Sequence, residues 1–338
     1  MELLGIKFAP LFVPLERRLQ TLAALMWIVI LPFGGLMSWL LLVYLVLYTR
    51  LRYIALAYAA WCAYDWEVCR RGGRRLQWAR RWLWWRYFRD FFPLRLERIE
   101  PLDPNRNYLF CAFPHGVLSA GVFGCFSTDY MGWDKLFPGI TVYPLTLEQH
   151  FKVPFFRELC LSLGGCSASA ESIGYLMDKP GGGNAAVLIV GGASEALKCK
   201  PRTYRVILKR RRGFIRLALK HGCPLVPVIS FGETDLYDQL EGTRLLKFQH
   251  FCRKITGMAP VLPIGRGLFQ YSFGIVPRRN PVTTVVGSPI EVKKVEDPTQ
   301  EQITELHNKF SEELVNFFEK YKHKYISDAD NVHLEIEE

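Results

Sequence analysis

From Leu22 to Tyr48 the chain reads LAALMWIVILPFGGLMSWLLLVYLVLY, 27 positions without a charged side chain. A helix needs roughly 20 such residues to cross a bilayer, so the stretch predicts a membrane segment. Its length, and the lack of an obvious small-residue cleavage site, argue against a removable signal. Pro32, Gly34 and Gly35 interrupt its centre. Proline removes a helical hydrogen bond and glycine loosens the backbone, which predicts a break there. Arg17 and Arg18 precede the stretch and Arg50 and Arg52 follow it. Basic residues at both ends favour both ends in the cytosol. A bent hairpin with legs 22–31 and 36–48 meets that demand. As helices the legs are about 15 and 20 Å long, which suits a re-entrant pair better than two full crossings. The second choice extends the second leg through Tyr53 to Tyr64, at about 2.5–3.5 kcal/mol for each of Arg50 and Arg52 unless they snorkel.

Composition narrows the partners. Half of the 338 residues are hydrophobic, aromatics reach 14% and the net charge is +11. Such a balance favours an anionic partner: phospholipid, a phosphorylated cofactor or nucleic acid. The nine cysteines form no C-x-x-C pair and have no metal-ligand spacing to histidine. They read as reduced thiols of a cytosol-facing protein, with no metal site. After the apolar stretch comes CRRGGRRLQWARRWLWWRYFRDFFP, Cys69 to Pro93. On a continuous helix Trp78, Trp82 and Trp85 share a face at i, i+4, i+7, with arginines along the flanks, which predicts a helix lying in the headgroup layer. The bland alternative packs that helix on the protein's own domain. Single-stranded nucleic acid also uses interleaved arginine and tryptophan, but a neighbouring membrane hairpin already accounts for the pattern, and no nucleic-acid partner is expected.

From Pro101 onward short apolar runs alternate with helical stretches. Strands are predicted at 108–112, 141–145, 185–190, 225–230 and 283–286, and helices at 155–163, 169–179, 213–221 and 300–324. That alternation predicts an α/β layer with a mostly parallel sheet. The expected organisation is a cytosolic segment 1–20, a membrane hairpin 21–64, a basic-aromatic interfacial helix and connector 65–100, an α/β domain 101–326, and an acidic, mobile tail 327–338.

Chemistry in such a sheet gathers where loops leave the carboxyl ends of strands. His115 stands there, between Pro114 and Gly116. Read from the residues alone it is either a satisfied core histidine or a presented base. PGGGNAAVLIVGGASEALK, Pro180 to Lys198, reads as a turn, a buried strand, a Gly191–Gly192 turn and a short helix, putting Glu195 at a second strand exit. Glu195 either caps that helix or holds the His115 ring in one tautomer and stabilises its imidazolium.

FPHG at 113–116, GGASE at 191–195, KRRRGFIRLALKHGCPLVPVISFGE at 209–233, GRGLFQYSFG at 265–274 and PVTTVVGSPI at 281–290 resemble successive motif blocks of the type-2 diacylglycerol acyltransferase family. The likeness runs almost end to end. The opening KFAPLFVPLERRLQTLAAL and the FQYSFG stretch are most similar to the monoacylglycerol acyltransferase branch. The resemblance implies an α/β acyltransferase-like domain behind a membrane anchor, in an endoplasmic-reticulum enzyme with both termini cytosolic and a possible place on lipid droplets. It implies fatty acyl transfer from coenzyme A to an acylglycerol hydroxyl, with acyl-CoA as co-substrate and no other cofactor. The partners are then acyl-CoA, monoacylglycerol or diacylglycerol and membrane lipid, with homo-oligomers or complexes with other lipid-synthesis enzymes open. One departure stands out: the family block is usually His-Pro-His-Gly, and Phe113 replaces its first histidine.

On that resemblance His115 is the general base, acting without a covalent acyl-enzyme, with Glu195 orienting its ring. Amides near Gly116 or Gly192 are candidate oxyanion donors. Lys209, Arg210, Arg211 and Arg212, before the helix at Gly213, are candidate contacts for the coenzyme A phosphates, and equally read as a solvated charge run. Diacylglycerol or a fatty alcohol remains open as acceptor. A rival reading makes Ser194 the nucleophile of a lipase, with Asp235 or Asp238 and a later histidine, but Ala196 stands where that elbow wants glycine. A non-catalytic droplet-coating hairpin is a third reading. Ala120 occupies the acidic position of the His-x-x-x-x-Asp pattern of the glycerophosphate acyltransferases, so that family is at most an analogy.

Overall fold

Nine strands position the chemistry: β1 (Arg95–Arg98), β2 (Asn107–Phe113), β3 (Thr141–Thr146), β4 (Cys166–Ser167), β5 (Asn184–Ile189), β6 (Tyr204–Ile207), β7 (Leu225–Phe231), β8 (Thr283–Val286) and β9 (Leu334–Glu337). The helices that matter here are α1 (Leu15–Tyr48), α2 (Arg52–Tyr64), α3 (Leu83–Phe91), α4 (Ala120–Ser127), α5 (Ala170–Met177), α6 (Ala193–Ala196), α7 (Gly213–His221), α8 (Thr243–Thr256) and α9 (Gln300–Tyr325). They belong to a computed structural model that describes residues 2–3, 5–10, 12–240, 242–256 and 260–338. Seven strands form one sheet in the order β1-β8-β7-β2-β5-β3-β4. Every neighbouring pair is parallel except β7 with β8. The mostly parallel α/β layer expected from the alternation of strands and helices is therefore present.

β2 runs down the middle, and both of its faces are apolar, as a doubly covered strand requires. Leu109, Cys111 and Phe113 face a core built with Ile173 and Leu176 of α5, Ile215 and Ala218 of α7, and Phe310, Leu314 and Phe318 of α9. Tyr108, Phe110 and Ala112 face the opposite core, with Val122, Cys125 and Phe126 of α4, and Trp133 and Phe137. α9 starts at a capping box: Thr299 Oγ1 accepts from the Gln302 amide at 3.3 Å, and Gln302 Oε1 accepts from the Thr299 amide at 2.9 Å.

The apolar stretch bends where proline and glycine predict. The halves of α1, Leu15–Leu31 and Phe33–Tyr48, meet at 69°. Among the described residues no single helix is long and apolar enough to cross a membrane, and this bent pair passes on length and composition together. The chain turns again at Thr49, whose hydroxyl donates to the Leu45 carbonyl at 2.7 Å and accepts from the Leu51 amide at 3.1 Å. α2 follows as a separate helix, so the second leg does not run straight through Arg50 and Arg52. The first half of α1 has one face on the domain. Ala23, Ala24, Trp27 and Ile28 are buried with Trp85, Phe88, Phe91 and Phe123, and Trp27 stacks on Phe123 with centroids 3.6 Å apart.

The basic-aromatic block departs from the continuous helix predicted for it. Gln77–Arg80 forms one turn, the chain breaks at Arg81 and Trp82, and α3 then begins. Trp78 and Trp82 remain exposed, whereas Trp85 is buried and its indole N–H donates to the Ala79 carbonyl at 2.8 Å. Just before the break stands Arg80, a fully buried guanidinium that no pattern of exposed arginines anticipates. Its Nε donates to Asp129 at 2.8 Å, Nη1 to the Leu163 carbonyl at 2.5 Å and Nη2 to the Phe126 carbonyl at 3.0 Å. Burial depresses its pKa to about 10, which still leaves it charged at neutral pH. The acidic end, expected to be mobile, is also ordered. Residues from Ala329 form a short turn and then β9, which pairs in parallel with β6.

Removing a buried charge from its partner strands the partner, at about 3–5 kcal/mol. Arg80→Ala should therefore lower the thermal unfolding midpoint markedly in detergent, while Arg81→Ala, at a largely exposed position, should change stability by less than about 1 kcal/mol.

Candidate active site

Three adjacent parallel strands end together. β2 lies between β5 and β7, and the register places Ala112 beside both Ile189 and Val228. Each strand then leaves through a glycine turn that carries an ionisable side chain: His115 after β2, Glu195 after β5, Glu233 after β7. Position at these strand exits brings together residues some 120 positions apart, and it was only partly readable from sequence. Glu233 closed a motif block there and received no role.

The His115 ring is half-buried. Its Nδ1 lies 2.9 Å from the Gly116 carbonyl oxygen, which only accepts, so Nδ1 carries the proton and Nε2 is the free base. Desolvation lowers the ring's pKa below the ordinary value, partly offset by that bond, which keeps the imidazole neutral at pH 7. Ser119 Oγ donates to the His115 carbonyl at 2.8 Å and stands 3.4 Å from Nδ1. The tautomer is thus set by the Gly116 carbonyl and not by Glu195.

Glu195 is buried and works on the backbone. One carboxylate oxygen accepts a short hydrogen bond from the His115 amide, and the other accepts from the Ile207 amide at 3.0 Å. The orienting role expected of it reaches the ring only through the main chain of the turn. A Cβ at Gly191 would collide with this carboxylate, which explains why the turn before it needs glycine. Glu233 mirrors the arrangement from the other side. Its oxygens accept from the Ala120 and Gly121 amides at 2.9 and 2.7 Å, at the N-terminus of α4. Gly116, with φ of +61°, lies against it, and a Cβ there would come within 2.5 Å of Glu233 Cγ. Desolvation raises both carboxyls to about 7, against the amide bonds that favour the charged forms.

Beside the Glu195 turn runs a groove of about 1000 Å³. Ser194 and Ile207 line it, and His115 does not. Its basic residues are Lys198, Lys200, Arg205, Arg210 and Arg211. Of the four residues expected to meet phosphates, the structure brings in Arg210 and Arg211. Lys209 lies outside the lining, and Arg212 points to α9, where Nη1 donates to Thr304 at 3.0 Å. Lys198, Lys200 and Arg205 went unnoticed because they are scattered through a turn and a strand and converge only in three dimensions. Arg211 donates to the Gly191 carbonyl at 3.0 Å and to Ser194 Oγ at 3.4 Å. The acids offered for a Ser194 triad are used elsewhere: Asp235 accepts from the Arg202 amide at 2.7 Å, and Asp238 pairs with Arg278. Among the described residues no cluster of histidine, cysteine and carboxylates could hold a metal ion.

The sequence profile of the family described as Diacylglycerol acyltransferase matches residues 44–337, most of the chain. The chain belongs to that family. It is 44% identical to 2-acylglycerol O-acyltransferase 1 of Bos taurus over 323 residues, covering 95% of this chain and 96% of that one. Its identity to human Diacylglycerol O-acyltransferase 2 is 42% over 314 residues, covering 92% and 81%. Among solved structures it is similar to the 1-acyl-sn-glycerophosphate acyltransferase of Thermotoga maritima, at 14% identity and a TM-score of 0.39, covering 88% of this chain and 97% of that one. Likeness at that level fixes no correspondence of residues. As a diacylglycerol acyltransferase family member, the chain is an acyltransferase whose acceptor is not decided by similarity.

Two predictions concern the paired carboxylates. Both oxygens of Glu195 accept from fixed amides, so Glu195→Gln turns an NH2 group against one of them. An unmet buried donor costs about 1–3 kcal/mol, and turnover should fall at least about tenfold through displacement of the turn. A carboxyl whose pKa is raised in the folded state contributes most to stability below its unfolded value, and that contribution is lost as pH rises through about 7. The difference in unfolding midpoint between the native protein and the Glu195→Gln/Glu233→Gln double variant should therefore shrink between pH 5 and pH 8.

Proposed function

We propose that this acyltransferase moves a fatty acyl group from acyl-CoA to the hydroxyl of a monoacylglycerol, forming diacylglycerol on the route to triacylglycerol. The observation that carries the reading is the His115 Nδ1–H held on the Gly116 carbonyl, which leaves Nε2 unprotonated at neutral pH. Nε2 takes the proton of the attacking hydroxyl as the oxygen adds to the thioester carbonyl. The tetrahedral intermediate then collapses, the C–S bond breaks, and the imidazolium returns its proton to the departing thiolate. No enzyme-bound ester is formed. The amides of His115, Ala120 and Gly121 are committed to carboxylates, so Gly116 and Gly192 are the proposed oxyanion donors. Arg210 and Arg211, with Lys198 and Arg205, form the proposed seat for the coenzyme A phosphates.

The choice of monoacylglycerol rests on the opening KFAPLFVPLERRLQTLAAL and the FQYSFG stretch, which resemble the monoacylglycerol acyltransferase branch; overall identity, 44% against 42%, does not separate the two acceptors. Diacylglycerol is the second reading, supported by 42% identity to Diacylglycerol O-acyltransferase 2. We also propose that the bent apolar pair and α2 sit in the endoplasmic-reticulum membrane with both termini cytosolic, and on lipid droplets. Support comes from side chains that the fold leaves uncovered: Leu36, Met37, Leu40 and Leu47 in the second half of α1, and Tyr53 and Ile54 in α2.

Purified protein given labelled oleoyl-CoA with monoacylglycerol, diacylglycerol or a fatty alcohol in turn tests the acceptor, and turnover should be greatest with monoacylglycerol. His115→Ala should lower kcat by about 10²–10⁴-fold, and Ser194→Ala should lower it far less; the reverse order would mean a serine nucleophile. The acid limb of kcat/KM should fall below the ordinary imidazole range, because burial lowers the ring's pKa, and it should be absent from the residual activity of His115→Ala.

A further inference from the structure

The acidic end of the chain is pinned to the basic groove. β9 pairs in parallel with β6, Leu334 beside Tyr204 through Glu337 beside Ile207. The Glu337 carbonyl also accepts from the Leu208 and Lys209 amides, both at 3.2 Å. This backbone pairing projects carboxylates onto the groove's own cations. Lys198 Nζ meets Glu337 at 2.5 Å, Arg205 Nε meets Glu335 at 2.9 Å and Glu337 at 3.7 Å, and Arg210 Nη2 meets Glu338 at 2.5 Å. Glu337 and Glu338 line the groove itself. Lys198, Arg205 and Arg210 of the lining are therefore already matched by carboxylates of the chain.

These pairs have the character of exchangeable contacts. The side chains of Glu335, Glu338 and Arg210 are largely exposed, those of Lys198 and Arg205 nearly half so, and that of Glu337 about a quarter. Ion pairs as wet as Arg210–Glu338 and Arg205–Glu335 contribute little to stability and cost little to break. The strand does not depend on them, since its ladder, its bonds to the Leu208 and Lys209 amides and the buried Leu334 remain without them.

We propose that Glu335, Glu337 and Glu338 are built-in competitors for the groove, carboxylates that a polyanionic thioester donor must displace from Lys198, Arg205 and Arg210 before it binds. This inference rests on reading the groove as the donor site. Binding then exchanges one set of ion pairs for another, so the number of charges paired changes little. The donor's apparent affinity is held down, and it responds only weakly to ionic strength, because salt screens both sets alike.

The test uses the full chain and the triple variant Glu335→Gln/Glu337→Gln/Glu338→Gln, which keeps side-chain size and the strand's backbone pairing. KM for oleoyl-CoA is measured at low and high salt, beside Arg210→Ala and Arg211→Ala. The triple variant should lower KM about three- to tenfold at low salt. Its KM should then climb with salt more steeply than that of the native protein. A lowered unfolding midpoint with KM and its salt response unchanged would overturn the inference, leaving the glutamates as struts for the strand. If the arginine variants raise KM while the glutamine variant does nothing, the donor groove stands and the competition fails. If neither set moves KM, the donor-groove reading itself fails and the inference fails with it.

Discussion

Two buried carboxylates, brought from distant parts of the chain to the turn that carries His115, hold the centre of this protein in place. Each amide of the turn after β2 that binds one of them is fixed by a neighbouring strand exit: His115 N–H by Glu195 from the β5 side, Ala120 and Gly121 N–H by Glu233 from the β7 side. Burying acidic groups costs free energy, visible in pKa values pushed up to about 7. What the fold gains is a turn clamped at both ends, so that Gly116 presents its carbonyl to Nδ1 and Nε2 is left free. The parallel register of β5, β2 and β7 places both glutamates at the same height as the histidine, and without it neither could reach.

Local pattern made the sheet and most helices legible. The helix predicted at 213–221 matches α7 to the residue, the strand predicted at 283–286 matches β8, and the break around Pro32 appears as the bend in α1. Such features are written within a few residues: alternation, helical period, a proline. The strand-exit positions of the candidate site were legible, its partnerships less so. His115 and Glu195 were picked out by their strand exits, but the partner that fixes the ring, a carbonyl one residue away, leaves no trace in residue identity. Glu233 ends the 209–233 block, and nothing in FGE distinguishes a helix-capping carboxylate from a surface one.

Charge runs were the poorest guide. Arg80 stands beside the exposed Arg81, and its burial depends on Asp129 and two carbonyls remote in sequence. Arg211 and Arg212 are adjacent, yet one bonds the Gly191–Ser194 turn and the other a threonine on α9. The acidic end looked like solvated chain because its pairing strand lies about 130 residues earlier. In each case the deciding contact is long-range, and composition carries no record of it.

Trp27 stacks on Phe123, midway along the helix whose first amides are held by Glu233. The apolar segment and the helix that follows the His115 turn are therefore joined by one aromatic contact. Displacing the Trp27 ring would be felt first by the helix that Glu233 anchors.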